Sequence, residues 1–158
     1  MHDLLIRNAT IALPDGDLLE GDLACAKGQI TAIGPQIGDD GREEIDAEGK
    51  LLMPGVIDPQ VHFREPGGTE KEDLASGSRA AVRGGVTSFL EMPNCNPPTI
   101  DQEQMDWKIS QGRATSVANF GFFIGATVDN LESCLLYTSP SPRDQRGSRM
   151  PASACKKK

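Results

Sequence analysis

The chain has 158 residues, enough for one ordinary core, and a formal charge of −7 at pH 7. That charge joins two unlike parts. Through Ser133 there are ten Lys and Arg against twenty-two Asp and Glu (net −12), and from Cys134 onward six basic residues and one acid (net +5). An acidic body argues against phosphate binding, and no stretch is apolar enough to span a bilayer, so neither nucleic acid nor membrane is an expected partner.

The N-terminus lacks the basic region and long apolar core of a secretory signal, which makes the cytoplasm the expected location. Cysteines at 25, 95, 134 and 155 form no Cys-x-x-Cys pair and read as free thiols. Cys25 is expected to pack as a small apolar residue, and Cys95 falls in a loop with no base in view.

Residues 1 to 54 read as short strands and turns. Leu4 to Ile11 is a first strand, Pro14-Asp15-Gly16-Asp17 a turn, and Leu19 to Ala26 a second strand. Lys27-Gly28 turns into Gln29 to Ile33, and a polar loop covers Gly34 to Arg42. Glu44 to Ala47 and Leu51 to Met53 are short strands about a turn at Glu48-Gly49. Antiparallel structure of this kind needs a second sheet to cover it.

From Gly55 the pattern becomes strand, loop, helix, strand. After a strand through Val56-Ile57, Thr69 and Glu72 have capping-box spacing, and a helix carries Leu74, Ala75, Ser78, Ala81 and Val82 before Gly84-Gly85. Val86 to Met92 is a second strand, with the apolar content of one covered on both faces. Pro93 to Pro98 is a loop. Thr99 and Gln102 suggest a second capping box, opening a helix to about Gly112 with Met105 and Ile109 on one face. Val117 to Gly125 is a third strand, and Thr127 to Ser133 the start of a further helix. Such alternation is the βαβ signature of a parallel sheet with right-handed connections.

The tail differs. Cys134 to Asp144 resembles the conceptual translation of a sequencing adaptor, and residues 134–158 are expected to be non-native, the alternative being a Pro/Ser-rich basic linker.

The stretch richest in chemistry is Met53 to Pro66. At period two, Gln60, His62 and Arg64 point one way from an extended backbone, and Val61 and Phe63 the other. Its motif, Pro-Gly-x-Ile-Asp-x-x-Val-His-x-Arg-Glu-Pro-Gly, resembles the first barrel strand of the amidohydrolase superfamily, and within it the dihydroorotases. The likeness extends to about Asn130. The fold it implies is α/β, an incomplete (β/α)8 TIM-type barrel of a metal-dependent hydrolase, preceded by part of a small β-sandwich. Residues 1–54 would belong to the sandwich and 55–133 to the first three β/α units. A complete barrel typically needs ~250 residues, so a fragment is expected.

The resemblance also implies a site. In that family a His-x-His pair binds a buried zinc, one or two Zn2+ in all, and an Arg two residues on holds the substrate carboxylate. His62 and Arg64 match, whereas Gln60 stands in the position of the first His. Three readings of Gln60 stay open: a metal site with Gln in place of one imidazole, a non-catalytic relative, or a sequence error. Asp58 matches an aspartate assigned an orienting role, and Asn94 the Asn of Met-Pro-Asn that shares the carboxylate with Arg64. For Arg64 the structural alternative is a surface pair with Glu65 or Glu70.

A carboxylated lysine, two further histidines and an aspartate would come from later strands, so no catalytic residue is expected in this chain, and the fragment itself is expected to be inactive. Zinc lowers the pKa of a bound water toward about 7, which suits amide hydrolysis. The implied activity interconverts N-carbamoyl-L-aspartate and L-dihydroorotate in pyrimidine synthesis, with that small molecule as partner and a homo-oligomer compatible. A hydantoinase- or allantoinase-type hydrolase, whose motifs lack this Arg, and a metal-free structural or regulatory homologue are the alternatives.

Overall fold

A computed structural model describes residues 1–130. Two compact units divide it, the first Met1–Pro54 and the second from Gly55 onward. Together they make an α/β protein. Among the described residues no helix is long and apolar enough to cross a membrane.

The first unit is one five-stranded sheet of β1 (His2–Ala12), β2 (Leu18–Ala26), β3 (Gln29–Gly34), β4 (Gly41–Asp46) and β5 (Leu51–Leu52). The order is β3-β2-β1-β4, with β5 beside the far end of β1. The expected antiparallel arrangement holds for β1–β2–β3 only, because β4 and β5 both pair with β1 in parallel. The polar segment after β3 is long enough to carry the chain back across the sheet before β4 begins. Ala9, Ile11 and Leu23 form the buried cluster, with Ile6, Leu13, Leu19 and Cys25 packed around it. Cys25 therefore serves as the small apolar residue its strand position suggests.

A bulge marks β1. Ile6 faces Leu23 and Ala9 faces Gly21, so β1 carries one residue more than β2 there. Asn8 takes a φ of 54°, which asparagine tolerates better than most residues. Its N–H, turned out of the ladder, donates to Asp22 Oδ1 at 3.1 Å, and Asp22 Oδ2 accepts from Ile37 N–H at 3.0 Å. One buried carboxylate thus fixes both the bulge and the loop that follows β3.

The second unit is a parallel sheet, β6 (Val56–Val61), β7 (Val86–Glu91) and β8 (Asn119–Phe122), in that order, with α1 (Leu74–Arg83) and α2 (Gln102–Thr115) in the connections. The alternation of strand and helix expected from the sequence is present. Both helix starts differ from expectation. Asp73, not Thr69, caps α1: its carboxylate accepts Ser76 N–H at 2.7 Å, and Ser76 Oγ accepts the Asp73 N–H in return. Asp101, not Thr99, caps α2, accepting from Gln104 N–H at 2.9 Å. In each case the aspartate lies next to the first helical residue, within reach of the free N–H groups, whereas the threonine lies too far upstream.

Helix α2 runs to Thr115, beyond the expected Gly112, and buries Lys108 and Gly112 fully, with Met105 and Ile109 half-buried. The third strand is shorter than Val117 to Gly125. The expected helix from Thr127 appears as a bend through Asn130, and its remainder and the tail lie outside the described residues.

Helices and sheet meet through an aromatic row. Phe63 packs edge-on against Phe89 with centroids 4.8 Å apart, Phe89 lies 6.4 Å from Phe120, and Phe120 lies 5.2 Å from Phe122. Two glycines let the helices approach this row. A Cβ at Gly77 would come within 2.6 Å of the Phe63 ring, and one at Gly112 within 2.7 Å of the Phe120 ring. Phe89 and Leu74 are buried completely or nearly so, and burial of large side chains such as these contributes about 1.5–3 kcal/mol each.

Candidate functional site

The end of β6 is irregular for a local reason. Asp58 pairs with Phe89 and Val61 with Glu91, so β6 spends one residue more than β7 over that interval. Pro59 falls in this bulge, where its missing N–H breaks no ladder bond. The Gln60 N–H instead donates to Asp58 Oδ1 at 3.0 Å. Bulges re-aim side chains, and this one leaves Gln60 exposed at the strand end. Asp58 thereby shapes the backbone immediately before His62.

The strand stops at Val61, and the expected alternation continues for two residues beyond it. His62 meets Asn94, while Phe63 turns to Phe89. It ends at Arg64, whose φ of 66° is left-handed. The contact of His62 with Asn94 joins the loop after β6 to the loop after β7: Nδ1 lies 2.8 Å from Asn94 Oδ1. An amide oxygen can only accept, so the contact places the proton on Nδ1 and leaves the Nε2 lone pair open. Backbone bonds brace the same two segments, from Met92 N–H to Val61 C=O and from Asn96 N–H to Pro66 C=O, both 3.0 Å.

Arg64 is exposed and forms no ion pair among the described residues. The surface pair with Glu65 does not form, because Glu65 Oε2 accepts the Leu74 N–H at 2.8 Å and is committed to the start of α1. The loop beyond folds back tightly. Gly67, at φ 84°, lies so close to the Asn96 backbone that no side chain would fit.

A catalytic zinc needs about three protein ligands. Among the described residues no three His, Cys, Asp or Glu side chains converge. Gln60 supplies no second imidazole, Asp58 accepts the Gln60 N–H at Oδ1, and His2 lies in the other unit beside Asp39. These residues do not by themselves compose a zinc site.

The sequence reading passed over a buried charge pair. Glu91, the last residue of β7, and Lys108, on α2, are 1% and 0% exposed, and Glu91 Oε2 lies 2.7 Å from Lys108 Nζ. Burial pushes the Glu91 carboxyl above the usual range, against the opposing pull of Lys108 and of the Phe63 backbone N–H directed toward it. Lys108 Nζ also sits 3.6 Å from Cys95 Sγ and 5.1 Å from the centre of the Phe122 ring. A signal existed: Glu91 is two residues from Phe89 and so shares its face of the strand. A cavity of about 340 Å3 opens beside this pair, lined by Pro66, Pro97, Trp107 and Lys108 among others. None of Asp58, Gln60, His62, Arg64 or Asn94 lines it.

Residues 49–135 match the family model described as dihydro-orotase-like. An allantoinase from Desulfitobacterium hafniense (strain Y51) is 39% identical over 132 residues, 83% of this chain and 29% of that protein. A dihydroorotase from Carboxydothermus hydrogenoformans is 49% identical over 96 residues, 60% of this chain and 22% of that protein. Among solved structures, the L-hydantoinase (dihydropyrimidinase) from Arthrobacter aurescens superposes with a TM-score of 0.77 at 26% identity, over 88% of this chain and 32% of its own. The chain thus spans less than a third of the length of these relatives. With the family model matched across the site and both helices of the second unit, the chain belongs to the dihydro-orotase-like family.

Proposed function

We propose that this chain is the N-terminal part of a cyclic amide hydrolase whose substrate carries a carboxylate, with L-dihydroorotate and N-carbamoyl-L-aspartate as the interconverted pair. The observation that carries the reading is Arg64, exposed at the strand end with no ion pair among the described residues and with the adjacent Glu65 engaged elsewhere. A guanidinium left open in this way suits a carboxylate, which it can grip through two parallel N–H···O bonds. The allantoinases and hydantoinases among the relatives share the cyclic amide chemistry, and Arg64 is what favours the acidic ring over theirs.

In this reading β6, β7 and β8 with α1 and α2 are the first units of a (β/α)8 barrel, and the N-terminal sheet is part of a β-sandwich completed by later sequence. Loops at the carboxyl ends of barrel strands hold the chemistry in that fold, which is where His62, Arg64 and Asn94 lie. Arg64 binds and orients the ring. His62, with Nδ1 engaged, presents Nε2. Water adds to the ring amide carbon and the C–N bond opens, with the amide nitrogen taking a proton. Zinc chemistry would require ligands from outside the described residues. Gln60 supports a second reading, a non-catalytic homologue, which stoichiometric zinc in the complete protein would count against.

The test uses the complete protein, expressed from its gene, on dihydroorotate and on unsubstituted hydantoin. Arg64→Met is expected to lower kcat/KM for dihydroorotate roughly 100-fold, the loss of about 3 kcal/mol of charge-assisted bonding, and to spare hydantoin. Equal losses on both rings, or none, would overturn the carboxylate assignment.

A further inference from the structure

The buried Glu91–Lys108 pair is poorly explained by stability alone. Two charges removed from water regain little over a well-packed apolar pair of similar size, and such replacements are often neutral or stabilising. What the pair does touch is informative. On one side Glu91 faces Val61 in the parallel register, and Val61 precedes His62 in the chain. On the other, Lys108 Nζ reaches Cys95 Sγ at 3.6 Å, and Cys95 follows Asn94. Cys95 is held in turn by Thr99 Oγ1 at 3.4 Å, with Thr99 fully buried.

We propose that Glu91 and Lys108 are positioning residues: the pair ties the backbone beside His62 to the loop beside Asn94, and so sets the His62–Asn94 contact that leaves Nε2 open. This rests on the reading of His62 and Asn94 as site residues. The geometry is specific to the ends of the two loops. Val61 faces Glu91 in the parallel register, so the carboxylate leaves β7 level with the last residue of β6. Lys108 comes from α2, and its ammonium is the link from that helix to the carboxylate and to the Cys95 thiol. An apolar pair could fill the same volume but could not hold the Cys95 thiol.

The experiment is 15N NMR of the histidine rings in the 158-residue chain, recorded at one alkaline pH. There are two histidines, so His62→Gln assigns the signals. In the parent chain the His62 ring nitrogens are expected to be widely separated, as for a single tautomer protonated at Nδ1. In Glu91→Leu/Lys108→Met the circular dichroism is expected to be retained while that separation collapses toward a tautomer average. Should the double variant not fold, Cys95→Ala decides, because it cuts the link from Lys108 to the loop and leaves the ion pair in place. It is expected to move the His62 signals in the same direction. A folded variant of either kind with His62 unchanged overturns the proposal. The readout needs no turnover, so it separates the two readings. Should the complete protein prove inactive on every cyclic amide while His62 still moves, the positioning role stands and the proposed reaction falls.

Discussion

His62 Nδ1 and Asn94 Oδ1 stand 2.8 Å apart, joining two loops whose strands are neighbours in a parallel sheet. The contact gives Asn94 a use besides the carboxylate binding that the dihydroorotase resemblance implies, and the two roles separate kinetically. Removing a group that orients a site imidazole lowers kcat, by about 10–100-fold for outer-shell partners of ligating histidines, whereas removing a carboxylate contact raises KM. In the complete protein, Asn94→Leu is therefore expected to lower kcat with little change in KM for dihydroorotate. Steady-state kinetics on parent and variant measures the split, and a rise confined to KM would return Asn94 to the substrate.

Breaking the Glu91–Lys108 pair from one side is expected to be costly. Lys108→Met leaves a buried carboxylate unpaired, at about 3–5 kcal/mol, while the double variant Glu91→Leu/Lys108→Met is expected to lie much nearer the parent. The pH dependence has a definite sign. Burial already raises the Glu91 carboxyl, so between its unfolded and folded pKa the native state binds more protons than the unfolded state. Stability then falls as pH rises through that window. Without Lys108 the window widens upward, and the variant should lose stability more steeply than the parent as pH rises above the ordinary glutamate range. Urea midpoints across that range test it, and a flat profile for Lys108→Met would sink the assignment.

What the sequence made legible follows from how local each signal is. The β6–β7–β8 alternation and the turn from His62 to Phe63 rest on period-two and helical patterns that need no distant partner. The helix caps were misplaced because Thr69 and Thr99 had the right spacing to a Glu or Gln, while Asp73 and Asp101 had the right distance to the first helical turn. The parallel pairing of β4 and β5 with β1 depends on a connection that crosses the sheet, which no local pattern encodes. The same holds at the site. His62 and Arg64 stood out by their strand position, but the His62–Asn94 contact spans 32 residues, and Lys108 meets Glu91 only when α2 docks. Charged residues in amphipathic segments default to solvent, and only the strand face shared with Phe89 hinted otherwise.

In the first unit, Asp22 is the buried acid-sensitive point, alongside the exposed Glu44 and Asp46, which are also held low. Burial alone would raise the Asp22 carboxyl, but N–H donation from Ile37 and Asn8 and the Arg7 guanidinium at 3.2 Å outweigh it and hold the group below the usual range. A lowered carboxyl contributes stability that is present above its unfolded pKa and lost as pH falls through the folded value. The unit should therefore soften below about pH 4. Asp22→Ala strands the N–H groups of the bulge and the loop together, for a loss of about 1–3 kcal/mol, and should flatten the acid limb of the urea midpoint. An acid limb identical in parent and variant would place the sensitivity elsewhere.

Gly77 tests how tightly the site's supporting layer is packed. On propensity alone, Gly→Ala inside a helix gains about 1 kcal/mol. Here the new Cβ would come within 2.6 Å of the Phe63 ring, which is already packed against Phe89 at 4.8 Å. Overpacking of this kind costs about 1–3 kcal/mol, so Gly77→Ala is expected to be net destabilising by thermal melting. Because Phe63 follows His62 in the chain, the same substitution should also shift the His62 ring resonances. An exposed control, Ser110→Ala on α2, should gain stability on propensity and leave those resonances alone. If Gly77→Ala stabilises as the control does, the Phe63 ring has room to move and the aromatic row is looser than these distances imply.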